Sequence, residues 1–158
     1  PKLLRRVAIH AENKGSQHGH AGELGLEGEE VRLVSTSGST SVLTLAEYDK
    51  GIHNLPADHE DRPRYIASRD ALAERFGPRV LSLDDDSVRR WGRLSGEVKR
   101  TSGHPPPVID ALLAASAIEH DLYLVTRNVK DTKPTGATVY DPWNDDMKMF
   151  PLSPRVGR

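Results

Sequence analysis

The sequence predicts an α/β domain of three layers, with a central, mostly parallel sheet covered by helices. Short apolar runs of strand length occur at Val80–Leu83, Leu122–Thr126 and Thr138–Tyr140. Longer segments with helical spacing of apolar residues precede or separate them. The chain has 158 residues, which suits one compact domain able to bury a core.

Val42–Ile52 reads as a helix ending at Gly51. Asp61–Phe76 carries an apolar stripe at Tyr65, Ile66, Leu72, Ala73 and Phe76, and Gly77-Pro78 stops it. Val80–Leu83 follows as a strand. Ser87–Arg100 places Val88, Trp91, Leu94 and Val98 at helical spacing, with Asp84–Asp86 available as caps. Val108–His120 is a strong helix entered through Pro105–Pro107, and it leads into the strand Leu122–Thr126. The stretch before residue 41 differs. It opens with Leu3, Leu4, Val7 and Ile9, then runs polar and glycine-rich from Glu12 to Glu30, with no lasting period. Val31–Val34 could form a short strand ahead of the Ser/Thr/Gly run Ser35–Ser41. These contrasts divide the chain into an aberrant segment at 1–40, a domain at 41–146 and a tail at 147–158.

Composition excludes several chemistries. Without cysteine there is no disulfide, thiolate nucleophile or cysteine zinc site. A net charge of -1 means that any nucleic-acid surface must be a local basic face. No apolar run approaches the roughly 20 residues of a membrane span. A basic-then-apolar leader is also missing from the sequence as given, so a soluble, cytoplasmic protein is expected. HExxH, GxGxxG, P-loop and GxSxG patterns are absent.

The chemistry therefore rests on oxygen ligands near strand ends, where parallel sheets build their sites. Asp110 lies in the first turn of the Val108–His120 helix, on the stripe of Leu113, Ala114 and Ala117. A carboxylate on an inward face is costly unless it is paired or binds a cation, although acids at helix starts also serve the helix dipole. Glu47 interrupts the apolar segment around Leu43–Ala46, and taken alone it fits a solvated helix face. Asn128 and Asp131 follow a strand, where such residues are strand-end ligands or turn caps. Together they suit magnesium or manganese, which can activate water for attack on a phosphodiester. Arg93, Lys99, Arg100, Arg127 and Lys130 are available for phosphates, a weak signal because most helix-surface cations are simply solvated.

Two blocks carry a family resemblance. SVLTLAEYDKGI (Ser41–Ile52) resembles the PIN-domain pattern S-x-x-T-x-x-E-L-x-x-G. PPVIDALLAASAIEHDLYLVTRNVKD (Pro106–Asp131) resembles the same family's most specific block, and TVYDPWN (Thr138–Asn144) is similar to the closing strand of its VapC and FitB-like branch. The resemblance spans about Ser41–Asn144 and implies a metal-dependent endoribonuclease toxin. By that likeness Glu47, Asp110 and Asn128 are metal ligands, Asp131 supports them, and all four form the catalytic set. It also implies Mg2+ or Mn2+, an RNA substrate, a small antitoxin partner and a homodimer.

One part of the family pattern is missing. The family opens on an apolar strand and an aspartate, as in LLDTN, whereas this chain reads Lys2-Leu3-Leu4-Arg5-Arg6-Val7. Aligned this way, Arg5 takes the place of the first acid and would repel a metal. A frameshift in the gene and a true divergence both account for the segment. The expectation is therefore an impaired ribonuclease; the alternative is a catalytically inactive PIN-like module that binds antitoxin or RNA. A structural α/β domain with no ligand is a third reading.

Overall fold

A computed structural model describes residues 6–9 as backbone, together with 38–141, 144, 145 and 149. Five strands form one sheet: β1 (Arg6–Ile9), β2 (Ser39–Ser41), β3 (Val80–Leu81), β4 (Leu122–Val125) and β5 (Val139–Tyr140). The helices are α1 (Val42–Asn54), α2 (Arg62–Phe76), α3 (Asp85–Ser102), α4 (Val108–Glu119) and the single turn α5 (Val129–Thr132). The α/β expectation holds, and every described pairing is parallel.

The strand order is β3-β2-β1-β4-β5. From β2 to β3 the chain moves outward on one side; from β3 to β4 it crosses back, and β5 continues outward on the other. Right-handed crossovers then place α1–α2 and α3–α4 on opposite faces. The direction reverses between β1 and β4, which makes their carboxyl ends the topological switch point.

Every residue of β4 is buried, although its side chains alternate between the two faces, so the sheet is covered on both sides. On one face Leu122 and Leu124 pack with Leu113, Ala114 and Ala117 of α4. The alanines allow α4 to lie close to the sheet. On its outer side α4 meets α3, where Leu94 and Val98 close over Ala111. This packing uses Trp91, Leu94 and Val98 of the stripe that the sequence predicted for α3, while Val88 is exposed.

Local signals explain the helix ends. Ser41 caps α1, its hydroxyl accepting from Leu43 N at 3.2 Å, and at the other end α1 runs past Gly51 to Asn54, where Leu55 N donates to Ile52 O at 3.3 Å. Asp84 caps α3 by accepting from Ser87 N at 2.8 Å. Gly103 closes α3 at φ 87°, donating to Lys99 O at 2.9 Å.

Two strands depart from the sequence reading. β2 falls within the Ser/Thr/Gly run, where Thr40 is 1% exposed and Ser41 6%. Small polar side chains are buried there, so the strand shows no apolar run. β1 arises in the segment set apart as aberrant and occupies the middle of the sheet, paired with both β2 and β4. β1 begins at Arg6, paired with Leu122 at the amino end of β4, and Arg5, read as standing in the place of the first acid, lies outside the described residues. The residue that follows the carboxyl end of β1 is His10. The expected strand Val31–Val34 lies outside the described residues.

Candidate functional site

All four expected residues belong to elements that start or end at the carboxyl edge of the sheet. α4 runs from that edge back toward the start of β4, so Asp110 in its first turn stands near the switch point. β4 ends there, and Asn128 and Asp131 follow at once, Asn128 preceding α5 and Asp131 within it. α1 leaves the same edge directly from β2. Glu47, five residues in, stands about 8 Å further down the helix axis at 1.5 Å per residue.

Asp110 and Asn128 meet: the Asn128 Nδ2 amide donates to Asp110 Oδ2 at 3.0 Å. A carboxylate only accepts, so this contact directs the amide nitrogen toward Asp110 and leaves the Asn128 oxygen to act as a ligand. Both side chains are half-buried.

Glu47 behaves differently. It is half-buried and pairs with Lys50 Nζ at 3.5 Å, one helical turn on. Ion pairs this exposed contribute little, so the lysine does not lock the carboxylate. Among the described residues no group of three or more His, Cys, Asp or Glu stands close enough to hold one ion. Asp131 is half-buried in α5. Tyr48, next to Glu47, turns to the core, and burial raises its hydroxyl pKa above the ordinary value.

Residues that the sequence did not single out hold the Asn128 loop. Thr126 is 1% exposed, and its hydroxyl accepts from Asn128 N at 3.0 Å. Its own N–H donates to Tyr140 O at 3.2 Å, tying the end of β4 to β5. Beyond the loop, Thr132 Oγ1 donates to Asn128 O at 2.6 Å. A threonine two residues from an asparagine was the available signal, since such hydroxyls bond nearby backbone.

With this geometry in view, the similarities to known proteins are informative. No protein-family model matches the chain. The VapC ribonuclease Y4jK of Sinorhizobium fredii is 27% identical over 103 residues, which covers 65% of this chain and 73% of that protein. A member of the VapBC family of toxin-antitoxin systems from Mycobacterium tuberculosis, VapBC-5, superposes with a TM-score of 0.54 at 28% identity, over 65% of this chain and 79% of that one. In sequence and in fold the chain is similar to VapC-like PIN-domain proteins. FitAB bound to a DNA fragment has the same fold, with a TM-score of 0.65 at 19% identity over 75% of this chain and 82% of that one. The VapC-like blocks identified in the sequence thus include the α4–β4–α5 unit that brings Asp110 to Asn128.

Proposed function

We propose that this VapC-like protein is the toxin of a toxin–antitoxin pair, a metal-dependent endoribonuclease acting in the cytoplasm as a homodimer restrained by a small antitoxin. The observation that carries the reading is the Asp110–Asn128 contact, an acid and an amide from different elements joined where the sheet reverses direction. The relatedness to a VapC ribonuclease supports the activity. The toxin–antitoxin assembly of its structural relatives supports the partner. Asp110 and the Asn128 oxygen suit a hard cation such as Mg2+ or Mn2+, and Glu47 completes the set once released from Lys50. When bound, such an ion would supply an activated water for phosphodiester cleavage. Asp131 supports the loop.

The chain is expected to cleave RNA weakly, because no carboxylate lies in β1 and His10 follows it. RNA cleavage with Mg2+ or Mn2+, beside an Asp110→Ala control, tests this reading. Metal-dependent cleavage that is lost in the control supports it, whereas cleavage indifferent to Asp110 overturns it. The second reading is an inactive module that binds antitoxin or RNA. It draws on the absence, among the described residues, of an acidic cluster fit for one ion. Antitoxin or RNA binding with no cleavage under either metal would select it.

A further inference from the structure

Asn128 can serve a site only if its amide is held in place, and its own short helix cannot do that. α5 has four residues, too few for a helix to persist without outside support. Asn128 precedes it at φ -82°, ψ 58°, near the inverse γ-turn and outside both the helix and strand regions.

Buried threonine hydroxyls supply the restraint. On the strand side, Thr126 accepts the Asn128 N–H at 3.0 Å. On the helix side, the Asn128 carbonyl accepts twice from Thr132, from Oγ1 at 2.6 Å and from N at 3.2 Å. Thr132 is itself 1% exposed. Thr135 Oγ1 donates to the Thr132 carbonyl and accepts from Ala137 N at 3.3 Å, just before β5. A continuous set of bonds therefore runs from the approach to β5, through two threonines, to the Asn128 backbone, and its amide ends on Asp110 Oδ2.

We propose that Thr132 is a positioning residue: its hydroxyl, braced by Thr135, fixes the Asn128 backbone so that the side-chain amide stays against Asp110. The importance of this contact for metal binding rests on the function proposed above. The competing explanation is that Thr132 bonds the carbonyl four residues back merely to satisfy its own hydroxyl, as threonines in helices often do. The two differ in what happens at Asn128.

Thr132→Val fills the same space without the hydroxyl, and Thr132→Ser keeps the hydroxyl. NMR of the Asn128 side-chain amide reads the contact directly in the full chain, without any need for activity. Thr132→Val is expected to shift these resonances and to speed their solvent exchange, while Thr132→Ser retains the parent values. Mn2+ titration is expected to weaken about tenfold in Thr132→Val, the usual scale for a group supporting a ligand, and to change no further when Thr132→Val is added to Asn128→Ala. An unchanged Asn128 amide in Thr132→Val overturns the proposal, as does an equal loss of Mn2+ affinity in the Asn128→Ala background. If Thr132→Val does not fold, Thr135→Val carries the same test one bond further away, with a smaller shift expected and no shift counting against the proposal. A parent chain that binds no Mn2+ would overturn the metal-site reading, and the amide signals would still decide the role of Thr132.

Discussion

At the scale of single residues, the Asp110–Asn128 pair depends on one of its members being neutral. Replacing the amide donor by a carboxylate sets two anions together. Asn128→Asp is therefore expected to lower stability by about 1–3 kcal/mol in chelator, and added Mn2+ should recover the loss and more. Thermal midpoints with EDTA and with Mn2+ check this; equal midpoints in parent and variant under both conditions would mean that the contact is not made. Asp84 offers a second test. Hydrogen bonding by Ser87, aided by His120 Nε2 at 3.1 Å, holds its carboxyl below the usual carboxylate range. A depressed carboxylate contributes stability above its unfolded-state pKa and loses it as pH falls through the folded-state value. Asn caps a helix as well as Asp does. Asp84→Asn should thus keep the cap and flatten the loss of stability below about pH 4, as read from midpoints across an acid series; a parallel slope would count against the assignment. Asp110 could be singled out in the sequence because it shares an inward stripe with apolar neighbours. Thr132 could not, since nothing in the period of its segment distinguishes a buried hydroxyl from a solvated one.

At the scale of elements, the sequence revealed those whose burial is apolar and whose ends carry caps. α3 could be anticipated from its stripe and from Asp84, and β4 from its apolar run. β2 could not, because Ser39, Thr40 and Ser41 form a strand from residues that also compose loops. β1 was obscured by the arginines at its start, and the alignment through Leu3-Leu4 rests on residues outside those described. The register of β1 suggests a second placement of the first acid, just past its carboxyl end, with a measurable consequence. His10→Asp sets a carboxylate just after the carboxyl end of β1 and should tighten Mn2+ binding by about tenfold or more, since affinity for hard cations follows the number of charged oxygens. Arg5→Asp, ahead of the amino end, should change it little. Titration of both variants decides between the placements, and the reverse order would support the alignment through Leu3-Leu4. Gly103 marks another element boundary. Its φ of 87° disfavours any side chain, although an added Cβ would meet no more distant part of the chain within 4 Å. Gly103→Ala should therefore cost about 1 kcal/mol from backbone conformation alone, measured by denaturant unfolding, and a neutral effect would show that the α3 terminus readjusts.

At the scale of the whole molecule, the fold class followed from the alternation of helices and strands, and the family resemblance rests chiefly on the α4–β4–α5 block. The chemistry is less complete, because the proposed site draws on several separate segments. α1, α4 and the β4–α5 loop can be placed from local sequence, whereas the contribution of the segment after β1 depends on residues with no period of their own. The strand order also bears on how the protein comes into being. β1 is made before the other described strands, yet in the finished sheet Arg6 pairs with Leu122 and Ile9 with Val125. On the ribosome β1 must therefore wait for α4 and β4 to emerge before its second edge is covered. Contacts so far apart in sequence slow folding, and an uncovered parallel edge invites wrong pairing meanwhile. A nascent chain halted before β4 would lack the site altogether, since Asn128 and the final partner of β1 arrive together. Synthesis itself thus withholds the assembled site until most of the chain has been made.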